Sequence, residues 1–181
     1  MRHVGYLLNT KKRLEGEPGI FYNYILAGNG LFIRAEGPLL SATICIASAQ
    51  VRGLSALTEE VTLKKGKIPR HVYGLALAVA AARPYHERYL AVTWEGEYRL
   101  RQPWQDGDFA GVYYESLPNT VLDIHSHGAM GAFFSSTDNT DEQGLRLYMV
   151  VGRLDTLTPE VLVRVGIYGY FALVEIDQIF G

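Results

Sequence analysis

The 181-residue sequence predicts an α+β fold, a mixed β-sheet with flanking helices. Three observations carry that expectation. Residues 69–83 hold apolar side chains at helical spacing, the stretches on either side are strand-like, and a short helix start stands at residues 135–138 between two such stretches.

Residues 1–66 form a strand-rich N-terminal extension in this reading, and residues 67–181 a second unit. In the extension, Phe21 to Ala27 and Leu31 to Glu36 flank Gly28-Asn29-Gly30, a connection that suits a hairpin. Leu39 to Val51 is a third apolar run, and Lys64-Lys65-Gly66-Lys67 marks the boundary. Pro69 suits a first helical position, and Val72, Leu75, Ala76, Val79 and Ala80 would share one helix face. Arg83 and Pro84 end that helix, because proline disfavours the α conformation in the residue before it. Strands are then expected at Tyr89 to Trp94, Tyr98 to Arg101, Gly111 to Tyr114 and Thr120 to Ser126, with Asp106-Gly107-Asp108 as a loop. Asp138 to Gly144 reads as the short helix, and Leu145 to Gly152, Val161 to Tyr168 and Tyr170 to Glu175 as the last strands.

Composition limits the function. With 48% hydrophobic and 20% charged residues the chain can bury a core. A net charge of −2 argues against nucleic acid as the main partner, since phosphate binding needs a concentrated basic surface. Lys11-Lys12-Arg13 is too short to supply one and is expected in a solvated loop. A single cysteine excludes an intramolecular disulfide and fits a cytoplasmic location; Cys45 lies in an apolar run and is expected in the core. No apolar leader follows Met1, and Val72 to Ala82 is too short to span a bilayer, so no membrane partner is expected.

The chemistry concentrates between Asp123 and Asp138. His125 and His127 stand two apart at a strand end, so both side chains point to one face and can converge on one ion. Asp138 returns from the next helix as a third ligand of another type. Two imidazoles and a carboxylate leave the fourth position of a tetrahedral zinc open, as catalytic sites require. Ser135 with Asp138 also fits a plain capping box, and His-Ser-His a polar strand end. The four residues together, spaced His-x-His-x7-Ser-x2-Asp, seldom arise by chance.

That pattern resembles the signature of the JAMM (JAB1/MPN/Mov34) zinc metalloproteases, over roughly residues 67–155. The resemblance implies a JAB/MPN-like fold for residues 67–181 and one Zn2+ held by His125, His127 and Asp138. It also implies that Ser135 polarises the scissile carbonyl and that a glutamate after the first helix acts as general base. Glu87 stands there, with Glu59, Glu60, Glu95 and Glu97 as competitors. Two positions depart from the pattern: Leu90 replaces a common glycine three residues after the glutamate, and Gly128 replaces a common proline and leaves the loop less rigid. The extension and the segment Arg146 to Arg153 resemble more loosely the JAB-like proteins of bacterial ubiquitin-like operons, including the PRTRC system protein A group. The partners implied are a ubiquitin-like protein, its conjugates and an E1-like activating enzyme.

The activity implied is cleavage after the C-terminus of the ubiquitin-like protein. Two rivals stand beside it: a non-catalytic MPN-type scaffold, and a zinc hydrolase of small amide or thiol-carrier conjugates. Asp123 and Asp141 are candidate acceptors for the second nitrogen of an imidazole. Gly128 to Phe134 and Trp104 to Phe109 are candidates for shaping a substrate channel, while His3, His71 and His86 read as structural or surface residues.

Overall fold

The computed structural model describes residues 2–108, 111–114 and 117–181. Its first six strands, β1 (Val4–Asn9), β2 (Leu14–Glu17), β3 (Tyr22–Ala27), β4 (Gly30–Glu36), β5 (Leu40–Ser48) and β6 (Glu60–Leu63), form one sheet in the order β2-β1-β3-β4-β5-β6. Helix α1 (Arg70–Ala81) follows, then β7 (Arg88–Trp94), β8 (Tyr98–Arg101), β9 (Gln105–Asp108), β10 (Gly111–Tyr114) and β11 (Thr120–Ser126). The chain continues through α2 (Ser136–Asp141), β12 (Leu145–Gly152), β13 (Glu160–Ile167), β14 (Tyr170–Leu173) and α3 (Ile176–Ile179). The second six-stranded sheet runs β14-β13-β12-β11-β7-β8, while β9 and β10 pair with each other. It is mixed: β11 runs parallel to β12 and antiparallel to β7.

The alternation along β11 and β12 decides which face is apolar. Leu122, Ile124, Leu147, Met149 and Val151 point into a core shared with Ile33, Ala35, Leu40 and Ile44 of the first sheet and with Val72, Ala76 and Ala80 of α1. Residues between them, Asp123, His125 and Tyr148, therefore emerge on the opposite face. Among the described residues no helix is long and apolar enough to cross a membrane.

Several expectations change. Leu75 is 51% exposed, because the buried stripe of α1 runs through residues 72, 76 and 80 at intervals of four. Pro69 is the residue capping that helix rather than its first member. Asp106-Gly107-Asp108 belongs to strand β9, whose ladder with β10 needs only backbone groups. Cys45 is half-buried against the small cluster of Ile25, Ala27 and Phe32 rather than in the main core. The short helix starts at Ser136 and ends at Asp141, and β14 stops at Leu173, where the chain turns into α3.

Close backbone packing fixes the loop beyond β11. A Cβ on Gly152 would stand 2.4 Å from Ala132 N and 2.5 Å from Met130 O, so residues 130–132 cross β12 with no room for a side chain. Gly74 of α1, by contrast, faces open space. In thermal or urea unfolding Gly152→Ala should cost about 1–3 kcal/mol or more. Gly74→Ala should stabilise the helix by about 0.5–1 kcal/mol. Equal effects at the two positions would contradict this packing.

Candidate metal centre

The two histidines are placed by β11. Within the sheet His125 pairs with Tyr89 of β7 on one side and Val150 of β12 on the other. His127 extends the second ladder by one bond, its N–H donating to Val151 O at 2.8 Å. Their two-residue spacing puts the rings on one face with centroids 5.1 Å apart. Each is backed by an aromatic ring, Phe133 at 4.5 Å from His127 and Phe134 at 6.3 Å from His125.

Asp138 comes from α2, and the capping box aims its carboxylate. Ser135 Oγ accepts from Asp138 N at 3.1 Å, while Ser135 N donates to Asp138 Oδ2 at 2.5 Å. With Oδ2 so engaged, Oδ1 is the oxygen that faces His125 Nε2, at 3.4 Å. The oxygen that caps the helix and the oxygen that could bind a metal ion are thus different atoms of one side chain.

The donor set fits a zinc ion. His125, His127 and Asp138 each offer an atom within 4.8 Å of the others, and theirs is the only such group among the described residues. His125 Nε2 and His127 Nδ1 are buried without a hydrogen-bond partner, which is costly for polar atoms unless something else binds them. The 3.4 Å between His125 Nε2 and Asp138 Oδ1 is long for a hydrogen bond. It matches the separation of about 3.3 Å that tetrahedral geometry imposes on two ligands bonded at 2.0–2.1 Å. Burial pushes the His125 imidazole down to about 4, against the pull of Asp138, so its ring is neutral at neutral pH and can ligate without losing a proton.

Glu87 does not belong to the three-ligand group. It is half-buried directly before β7, whose ladder with β11 ends at Arg88–Ser126, so it stands at the strand end where β11 gives way to His127. Arg88 N fastens that end by donating to Ser126 Oγ at 3.0 Å. The competing glutamates are engaged elsewhere. Glu59 accepts from Cys45 N, Glu60 from Thr62, and Glu97 pairs with Arg99. Glu95 is held at about 2, chiefly by its hydrogen bond from Arg101, and makes a poor proton acceptor.

Gly128 has φ +59°, which proline cannot adopt, and a Cβ there would meet Pro84 O at 2.7 Å. The loop it opens is tied rather than loose: Met130 N donates to His127 O, Leu154 N to Gly128 O, and Arg153 N to Met130 O. Asp123 does not orient an imidazole. It accepts from Tyr89 Oη and from Arg146 at 2.7 Å. Asp141 is exposed, and no described bond joins it to a histidine. Of the expected Trp104–Phe109 loop, Phe109 lies outside the described residues, whereas Gly128 to Phe134 does fold beside the histidines. Phe133 and Phe134 fall within that expected segment, but their contacts with the two imidazoles, and Arg164 from a distant strand, leave no local pattern in the sequence.

Residues 89–165 match the family model of the prokaryotic homologs of the JAB domain, a stretch that contains His125, His127, Ser135 and Asp138. The match supports a JAB-type prokaryotic domain in that segment. None of the curated proteins compared with the chain matches it.

The purified protein should hold about one zinc per chain, and His125→Ala/His127→Ala should hold none by elemental analysis. Full retention of zinc in the double variant would show that the ion sits elsewhere.

Proposed function

We propose that the protein is a zinc-dependent isopeptidase or peptidase that cleaves after the C-terminus of a ubiquitin-like protein. The observation that carries this reading is the group of His125, His127 and Asp138, with two buried ring nitrogens lacking any hydrogen-bond partner. A scaffold would have no use for orphaned nitrogens beside an aimed carboxylate.

Bound there, zinc would supply Lewis acidity and bring the pKa of water from 15.7 towards about 7. Glu87 accepts the proton of the attacking water and passes it to the amine that leaves as the carbonyl–nitrogen bond breaks. Ser135 already accepts from Asp138 N, so its own hydroxyl hydrogen can donate to the scissile carbonyl oxygen. A donor placed in this way contributes roughly 3 kcal/mol once charge develops on that oxygen.

Both edges of β11 are occupied at His125, so the substrate tail cannot add directly beside it. It lies extended across the strand ends, along the loop that exposes Met130 and Phe133. Phe133 narrows the approach to His127 and favours small residues next to the cut. The folded body of the modifier supplies most of the affinity and positions the bond.

Glu87→Gln should keep its zinc and lose roughly 10²-fold in turnover of a ubiquitin-like protein fused through its C-terminus to a reporter. Chelation should stop cleavage and added zinc restore it, while the isolated tail peptide should be cut poorly. Equal cleavage of fusion and peptide would favour a hydrolase of small amides. Zinc bound without cleavage of either would favour a scaffold.

A further inference from the structure

Helix α2 buries none of its six side chains, and a helix of that length does not persist in water on its own propensity. It nevertheless delivers Asp138 to 3.4 Å from His125. Apolar burial cannot be what holds it there, so the polar contacts beneath it must.

Those contacts converge on Arg164 of β13, which is only 5% exposed. Its Nε donates to Glu142 Oε2 at 2.8 Å and its Nη1 to Asn139 Oδ1 at 2.7 Å. The guanidinium lies between two rings, 3.8 Å from the centre of Phe134 and 3.9 Å from that of Phe171. Phe134 directly precedes Ser135, Asn139 directly follows Asp138, and Glu142 caps the end of α2. One planar group therefore grips the chain on both sides of the metal-ligand carboxylate. Tyr148 adds a weaker tie, donating to Gln143 O at 3.2 Å.

We propose that Arg164 is a positioning residue for the metal centre, locking the Phe134–Glu142 segment to the sheet so that Asp138 meets the two imidazoles. The inference rests on the zinc reading above. Lysine could keep the charge but not the fork or the stacking plane on which both grips depend. Glu142 pairs with the guanidinium and offsets part of its charge beside the cation site.

The test measures zinc affinity directly, by competition with a chromophoric chelator on metal-free wild type, Arg164→Lys and the remote core variant Ile44→Val. Below the unfolding temperature of all three, Arg164→Lys should bind zinc about 10–100-fold more weakly. Ile44→Val, which costs stability in the first sheet, should keep the wild-type affinity. Unchanged affinity in Arg164→Lys, or an equal loss in Ile44→Val, would overturn the proposal. If Arg164→Lys does not fold, Asn139→Ala removes one tie from an exposed position and should weaken zinc several-fold; no change there would overturn it equally. Wild type that binds no zinc would instead defeat the metal reading itself.

Discussion

The ladders on the two sides of β11 constrain everything else in the site. With Tyr89 bonded opposite His125 on one side and Val150 on the other, the strand cannot slip by a residue without exchanging its buried and polar faces. The apolar set Leu122 and Ile124 pays for that register by burial, and His125 and His127 inherit a fixed direction from it. The proposed third ligand has no such anchor. Asp138 sits on a helix without a buried side chain, so its position depends on directional bonds. Two imidazoles held by a sheet and a carboxylate held by polar ties make a centre whose rigid part is apolar in origin and whose adjustable part is not.

The face of the second sheet that turns away from the core is correspondingly rich in charge. Asp123 joins Tyr89 to Arg146, and Glu142 joins α2 to Arg164. Buried ion pairs of this kind contribute little net stability, because desolvation offsets much of the Coulomb attraction, yet removing one partner is costly. What they add is direction. A hydrophobic substitute could fill the same space beneath α2 but would leave the helix free to shift by the fraction of an ångström that separates a ligand from a bystander.

Much of this was legible in the sequence wherever a residue's role depends on its near neighbours. The α1 segment, the β7 and β8 strands, the β11–β13 run and the His-x-His-x7-Ser-x2-Asp spacing all declare themselves through local period. β2 (Leu14–Glu17) did not, because all four of its residues are exposed and no alternation marks it. The edge strand β6 and the four-residue α3 bury too little to leave a pattern. Leu75 was misplaced because residues 75 and 76 both fit a helical face and only the packing partner chooses between them. Asp123 offers the same lesson at the site: its charge was visible, but its partners Tyr89 and Arg146 lie on neighbouring strands. The cost of a side chain at Gly152 was hidden too, since the loop it would strike is 20 residues away in sequence.

The proposed centre has one metal ion shared by residues of a strand and a polar helix. Crystals grown with zinc and measured on both sides of its absorption edge test it most directly. A single anomalous peak per chain is expected, about 2.0–2.2 Å from nitrogens of His125 and His127 and an oxygen of Asp138, with no other side chain bonded. A peak that omits Asp138, or one that includes Glu87 as a ligand, would contradict it.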